Sequence, residues 1–461
     1  MSEYGELTED LTDRLEEIVG EEGIIRDREK MDDYSHDEYP LADLRNFPDI
    51  VVRPKSTEEV SQIVRLAWEN SIPITPRGSA TGLCGGCVPV YGGISLSLER
   101  MESILEIDED NFLVTVEAGV KLMDLFKAVE EKGLFFPPHP GDESAMVGGV
   151  IATNAGGSRA VKYGVIRNFV RGIEVVLPNG KVEWLGSKNV KDSSGYSLTN
   201  LFVGSEGTLG VITKAILKVT PPPGATMTLI AIYDGIEDSI NTVPKILKQG
   251  LSPISIEFIE RSVIPPTEEL LGKKWPTSKG EVYLTLIVDA RDEDGLMQMG
   301  EELVDICTAN NAIDVLVADT KEKQDLILDI RSNIYLALKK EVVEALDITV
   351  PPSKIADFIK GVGELSQKYK IYLPTYGHAG DGNVHVHVMK GGDESAYQPL
   401  RRELHQVGIE MGGVVSGEHG IGLAKKEYLK MMGEGRIDLM RKIKGALDEK
   451  NIMNPGKIFD P

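Results

Sequence analysis

The chain is 461 residues long, 41% apolar and 27% charged, an ordinary globular composition that predicts two or three folded domains and excludes an extended low-complexity arm. Fifty basic against 73 acidic residues give a formal charge of −23, which repels nucleic acid and anionic membrane surfaces, so a polynucleotide is excluded as the expected partner. No apolar run approaches the roughly 20 residues that span a bilayer, and the acidic, polar stretch Met1 to Asp10 is unlike a signal or transit peptide; the expected location is cytoplasmic, with any membrane association made through a partner.

In chain order, Ile50-Val51-Val52 reads as a short strand, Val60, Ile63, Val64 and Ala67 fall at helical spacing, and Ile72-Pro73-Ile74 begins another strand, giving a β-α-β unit. Residues 76–86 are a loop by composition. Alternation returns at 94–98 and 113–116, and Leu122, Leu125, Phe126 and Val129 mark one side of a helix. A second dense glycine region covers 133–164, and 172–219 read as short strands ending at Pro221-Pro222-Pro223. That proline run predicts a boundary between a first domain, 1–223, and a second, 224–450. Beyond it, helices are predicted at 320–345, 353–369 and 396–411, and strands at 227–232, 282–288, 347–350 and 384–389, an α+β arrangement of helices over an antiparallel sheet. The tail, 451–461, lacks helical periodicity and is expected to pack back on the first domain.

Cys84, Cys87 and Cys307 are too few for a disulfide scaffold and cannot ligate a four-cysteine iron–sulfur cluster, so any electrons leaving the chain pass to another one. Cys84 and Cys87 have C-x-x-C spacing, but without a second pair they read as small residues filling a tight turn.

Three loops are unusually rich in glycine. They are Pro76-Arg77-Gly78-Ser79-Ala80-Thr81-Gly82-Leu83-Cys84-Gly85-Gly86, then Gly141-Asp142 through Gly148-Gly149 to Asn154-Ala155-Gly156-Gly157, then Gly204-Ser205-Glu206-Gly207-Thr208-Leu209-Gly210. Clustered glycines let backbone N–H groups converge on an anion, and a diphosphate is the natural guest. Neither the dinucleotide fingerprint G-x-G-x-x-G nor the G-x-x-x-x-G-K-[ST] loop occurs. Together the loops resemble the FAD-binding domain of the vanillyl-alcohol oxidase / para-cresol methylhydroxylase type over residues 47–221. The resemblance implies a first loop around the FAD diphosphate and second and third loops lining the adenosine and isoalloxazine. It assigns Pro76, Arg77, Gly78, Ser79, Thr81, Gly82, Gly141, Asp142, Gly148, Gly149, Asn154, Gly157, Gly207, Ile212 and Asn454 to the cofactor. Relatives that attach FAD covalently do so through a His in the first loop; this chain has Ser79 and Ala80 there, so a non-covalent, dissociable FAD is expected.

Four of the seven histidines fall in two short motifs, His378-Ala379-Gly380-Asp381-Gly382-Asn383-Val384-His385-Val386-His387 and Ser416-Gly417-Glu418-His419-Gly420-Ile421-Gly422. Glycine-flanked, non-periodic His and Glu contribute little to a core, and a strand carrying His385 and His387 on one face would let imidazoles converge on a metal. His36, His139 and His405 read as isolated hydrogen-bonding residues. With both motifs the chain resembles, nearly end to end, the FAD-linked D-lactate dehydrogenase / glycolate oxidase large-subunit family. That resemblance implies His378, His385 and Glu418 as ligands of a divalent metal (zinc, iron or manganese), His419 as catalytic base, and Asn383 and His387 as substrate or supporting contacts. It also offers Arg331 as the cation for the substrate carboxylate, against the plainer reading of a solvated helix-face arginine paired with an acid.

The expected activity is oxidation of a D-2-hydroxy acid, D-lactate or glycolate, with hydride transfer to flavin N5 and electrons passed to an electron-transferring flavoprotein or an iron–sulfur subunit; a homodimer is compatible with the sequence. The D-2-hydroxyglutarate dehydrogenases have a lysine just before the strand Asp347-Ile348-Thr349-Val350-Pro351, where this chain has Ala345 and Leu346, so a dicarboxylic substrate loses a partner. The alternatives are D-2-hydroxyglutarate dehydrogenase, a redox-neutral FAD synthase, and a non-catalytic FAD subunit of a larger complex.

Overall fold

The computed structural model describes residues 4–40 and 44–460; Pro461, the end of the expected tail, lies outside the described residues. The chain forms two compact units, one from Met1–Ala155, Val165–Pro221 and Glu418–Pro461, the other from Gly156–Gly164 and Pro222–Gly417. The chain therefore changes unit at Pro221/Pro222, as the proline run suggests, but also at two places that composition does not mark. Gly157, assigned by resemblance to the FAD loops, belongs to the second unit, and residues 418–450, expected in the second domain, belong to the first.

In the first unit, β1 (Ile24–Ile25), β2 (Ile50–Val52), β3 (Ile74–Arg77) and β4 (Ile94–Ser97) form a sheet in the order β1-β2-β4-β3. The predicted β-α-β unit is present, but β2 and β3 do not touch; each pairs in parallel with β4, which inserts between them. The intervening helix, Thr57–Asn70, starts where the Ser56 hydroxyl accepts the Glu59 amide at 3.2 Å and ends on Ser71 in the left-handed region (φ 56°). Its Val60, Ile63, Val64 and Ala67 are buried in one cluster with Ile50, Ile74 and Leu96. Burial of each large aliphatic side chain stabilises by about 1.5–3 kcal/mol. Pro76 and Arg77 pair with Leu96 and Ser97, so the first glycine loop begins at Gly78 and not at Pro76. The second sheet, β5 (Ile104–Asp108), β6 (Leu113–Glu117), β7 (Val170–Val176), β8 (Val182–Gly186) and β9 (Val211–Lys218), is antiparallel in the order β5-β6-β9-β7-β8. The tail runs along β3: the Ile74 amide donates to the Ile452 carbonyl at 2.7 Å, and the Asn454 amide donates back to the Ile74 carbonyl at 2.7 Å.

The second unit is built on seven antiparallel strands, β10 (Ala225–Tyr233), β11 (Ser255–Glu260), β12 (Val282–Ala290), β13 (Asp314–Ala318), β14 (Val342–Thr349), β15 (Thr375–His378) and β16 (Asn383–Met389), in the order β13-β10-β12-β11-β15-β16-β14. The predicted helix 320–345 is instead two helices, Lys321–Ser332 and Ile334–Leu338, followed by β14. Buried Ile327, Ile330, Ile334, Leu338, Val342 and Ala345 continue at three- and four-residue intervals, which reads as one helix. Pairing of Val342 to Thr349 with β16 overrides that periodicity. Among the described residues no helix is long and apolar enough to cross a membrane.

Candidate functional site

In the first unit the glycine loops are fastened by Asp37 and Glu206, which sequence reasoning did not single out, together with Ser79 and Asn454. The Asp37 carboxylate, buried and raised in pKa by that burial, accepts the Gly85 and Gly86 amides at 2.7 and 3.1 Å, which removes those two amides from any cradle for a ligand anion. The amides of Ser79, Ala80, Thr81 and Gly82 donate to no acceptor among the described residues, and Ala80 sits at φ 58°. Amides without a protein acceptor on a partly buried loop are available to an external hydrogen-bond acceptor. Ser79 accepts the Met146 amide at 3.1 Å, joining the first loop to the start of the helix Val147–Thr153. Gly148 lies in that helix because a Cβ there would stand 2.8 Å from the Ala118 Cβ, while Gly149 is exposed. Asn154 closes the helix in the left-handed region and accepts the Arg167 amide at 3.2 Å. Asn454 donates to the carbonyls of Gly86 and Glu206 at 2.9 and 2.7 Å, fastening the first loop, the third loop and the tail together.

The other residues that the resemblance assigns to the cofactor have the following surroundings. The Arg77 guanidinium donates to the His36 carbonyl at 2.9 Å and to the Asp33 carbonyl, and lies 5.2 Å from the Tyr34 ring, so its charge braces the 33–36 segment. Ile212 is buried in β9, a Cβ added at Gly207 would stand 3.2 Å from the Pro76 ring, and Gly141 and Asp142 are exposed, the Asp142 carboxylate accepting the Ser144 amide at 2.8 Å.

Residues 418–424 lie against the same loops. The Cys84 thiol donates to the His419 carbonyl at 3.1 Å, the Leu423 amide donates to the Cys84 carbonyl at 2.8 Å, and the Glu206 carboxylate accepts the Ile421 and Gly422 amides, both at 2.7 Å. The C-x-x-C pair is thus structural: Cys87 accepts from Arg77 at 3.4 Å, and burial pushes the Cys84 thiol well above its usual range and the Cys87 thiol to about 11, which keeps both unreactive. The His419 side chain is 16% exposed, with Nε2 4.0 Å from a Glu418 carboxylate oxygen.

Lys457 secures the tail, donating to the Val88 carbonyl at 2.6 Å and to the Asn454 side chain at 3.2 Å. Burial lowers its pKa to about 8 from 10.5, more than Cys87 and Glu206 raise it. Between those values the unfolded chain binds the extra proton, so stability from this group rises with pH, by about 3 kcal/mol over the window. Urea midpoints at pH 8 and pH 10 should show the rise in the wild type and not in Lys457→Met; equal pH responses would refute the assignment.

In the second unit the register assembles one polar face. Glu257 on β11 pairs with His378 on β15, which pairs with Asn383 on β16, which pairs with Thr349 on β14. One step along, Tyr376, His385 and Asp347 are aligned, and Ala345 is aligned with His387. Because directly opposed residues project to the same side and alternate residues share a side, these residues lie on one face of the sheet, with Glu257, His378, Asn383, His385, Asp347 and His387 all buried. The His378 and His385 rings are 5.2 Å apart, with nitrogens within 4.8 Å of one another. Two imidazoles at that spacing fit two positions of a divalent-ion site.

Glu257 was not foreseen. Its only sequence trace is an acid in the apolar run Ile256-Glu257-Phe258-Ile259. Its carboxylate accepts from His378 Nδ1 at 2.7 Å and from Arg331 Nε at 2.7 Å, with Arg331 Nη2 also paired to it. Burial alone would raise this carboxyl, but Arg331 and His378 outweigh it and hold the pKa at about 2. Arg331 is therefore not the solvated helix-face arginine of the plainer reading: it is 15% exposed, lies 4.7 Å from the Tyr376 ring and pairs with a buried acid. Asp347 organises the other edge, accepting Asn383 Nδ2 at 2.6 Å, Ser416 Oγ at 2.8 Å and the Gly417 amide at 3.1 Å. Only glycine fits at 417, since a Cβ would stand 2.3 Å from both Asn383 Nδ2 and Thr349 Oγ1. The next residue in the chain is Glu418.

Residues 48–186 match the family profile of an FAD binding domain, and residues 222–458 that of the C-terminal domain of FAD linked oxidases. The chain is 46% identical to a D-lactate dehydrogenase of Archaeoglobus fulgidus over 89% of its own length and 91% of that protein. It is 38% identical to the glycolate oxidase subunit GlcD of Bacillus subtilis over 98% of its length and 97% of the relative. Among solved structures, p-cresol methylhydroxylase with substrate bound superposes with a TM-score of 0.78 at 17% identity, covering 97% of this chain and 96% of that one, a likeness of fold.

Proposed function

Since the chain belongs to the FAD-linked oxidases, we propose that it is a flavin-dependent dehydrogenase that oxidises a D-2-hydroxy acid, D-lactate or glycolate, to the 2-oxo acid and passes the electrons to a separate protein. The reading rests above all on the paired imidazoles of His378 and His385 beside a braced arginine, on a chain whose relatives include a D-lactate dehydrogenase. FAD, held non-covalently at the amides of 79–82, supplies the hydride acceptor. A divalent ion, zinc, iron or manganese, held by His378, His385 and Glu418, supplies a Lewis acid for the substrate hydroxyl.

The protein's own part is to bind, orient and move one proton. Arg331 presents its remaining Nη1 edge to the substrate carboxylate, Asn383 contributes a polar contact beside His378, and His419 accepts the hydroxyl proton as hydride leaves C2. Ala345 lies on the same sheet face as Asp347 and carries no charge for a second carboxylate, which favours a monocarboxylate. The acceptor is proposed as an electron-transferring flavoprotein or iron–sulfur subunit, since three separate-role cysteines leave no cluster in this chain.

Anaerobic mixing of the purified protein with D-lactate, L-lactate, glycolate and D-2-hydroxyglutarate tests the proposal through bleaching of the visible flavin band. Rapid bleaching is expected with D-lactate or glycolate and at least about 10-fold slower bleaching with L-lactate and hydroxyglutarate. No bleaching by any of the four in FAD- and metal-replete protein would overturn the assignment in favour of a redox-neutral or subunit role.

A further inference from the structure

Glu257 is a buried side chain that hydrogen-bonds two of the groups given separate duties above. Its Oε1 accepts from His378 Nδ1 at 2.7 Å, and its Oε2 accepts from Arg331 Nε at 2.7 Å. Ser255 Oγ also donates to Oε1 at 3.2 Å and Arg331 Nη2 is paired with Oε2, so each oxygen already has two partners, and the side chain is only 2% exposed. The sheet register sets the first contact, Glu257 opposite His378, and the helix Lys321–Ser332 delivers the second. Tyr376, two register positions away on β15, places its ring 4.7 Å from the guanidinium. With Nε and Nη2 turned to the carboxylate, Nη1 is the edge of Arg331 that donates to no acceptor among the described residues.

We propose that Glu257 is a positioning residue for the oxidation: a single carboxylate fixes His378 as the Nδ1–H tautomer, which directs Nε2 toward a bound ion, and clamps the inner edge of Arg331, which directs Nη1 toward the substrate carboxylate. The inference rests on the metal and substrate roles proposed above and adds a residue to them. An imidazole whose Nδ1–H is held by a carboxylate is a more basic and better oriented ligand, and removal of such a partner typically weakens metal binding about 10–100-fold. An arginine held along one edge loses less conformational freedom when its other edge meets a carboxylate. Metal affinity and substrate affinity therefore share one anchor.

The test is Glu257→Gln in the full chain, stripped of metal and reloaded in parallel with zinc(II), iron(II) or manganese(II). Metal retained after dialysis against graded chelator, FAD content, and KM and kcat for D-lactate at saturating metal are then compared with wild type. The glutamine side chain can still accept from His378 but carries no charge and turns an amide toward Arg331. Expected are about 10–100-fold weaker metal retention, a raised KM even at saturating metal, and unchanged FAD content. Because Glu257→Gln leaves Arg331 buried without its counter-ion, the pair Glu257→Gln/Arg331→Met provides a second variant with no unpaired charge; it should hold FAD and show the same loss of metal retention. A folded variant of either kind with wild-type metal retention and KM would overturn the positioning role alone. Wild-type protein that retains none of the three ions would overturn the reading of the site and this inference with it.

Discussion

Replacing His419 by asparagine is expected to slow flavin reduction by the hydroxy acid about 10²–10⁴-fold, the usual worth of a positioned general base, with FAD still bound. The expectation follows from how the residue is held. Its carbonyl accepts the Cys84 thiol at 3.1 Å and the two amides beyond Gly420 are taken by Glu206, so the backbone at 419 is fixed by the glycine loops independently of its imidazole. Asparagine removes the titratable nitrogen and leaves those bonds in place. An ordinary imidazole changes charge between pH 5 and 8 and so can take up a proton near neutrality, whereas an amide cannot. Anaerobic stopped-flow reduction, with FAD content measured on the same sample, separates a lost base from a lost cofactor. A rate within about 3-fold of wild type would place the base elsewhere.

The second large effect is expected from the metal. Exhaustive chelation should abolish flavin reduction and readdition of one of zinc(II), iron(II) or manganese(II) should restore it, while His385→Ala should lose activity that no added ion recovers at stoichiometric concentration. His385 lies between Tyr376 and Asp347 in the sheet, with its ring 5.2 Å from that of His378, so its loss removes one of two adjacent imidazoles. With two of three ligands left, affinity falls far below that of a closed three-ligand site. The glycine loops at 78–86 and 204–210 belong to the other unit, so FAD content serves as the internal control. Activity that survives chelation in His385→Ala would show that substrate is activated by protein groups alone.

Much of the architecture was legible because its signals are local. Val60, Ile63, Val64 and Ala67 announce a buried helix face, alternation in β16 announces that His385 and His387 share a side, and the glycines of 78–86 announce a loop. What was not legible depends on register and on chain crossings. Nothing in Ile256-Glu257-Phe258-Ile259 says that β11 will lie beside β15, yet that adjacency turns an unexceptional glutamate into the partner of His378. Arg331 could be named from the sequence, but its partner lies 74 positions away, on the far side of two strands. The false helix over 342–345 arose because Val342 and Ala345 extend a helical spacing by coincidence; long-range pairing with β16 decides the matter. Likewise, Asp37 and Glu206 look like ordinary loop acids until the amides they accept are known.

The return of the chain to its first unit after Gly417 imposes an order on biosynthesis. β3 emerges early from the ribosome, but the residues that pair with it, Ile452 and Asn454, are translated only after the whole second unit. Domains generally fold as units during synthesis, N-terminal first, yet here the first unit waits with the Ile74 amide and two glycine loops unfastened while the second completes. A ribosome that stalls, or a nonsense codon, anywhere in the last few dozen codons therefore yields a chain with every glycine of the cofactor loops present and no stable pocket for the flavin, a species that quality-control proteases would meet as a half-open sheet edge.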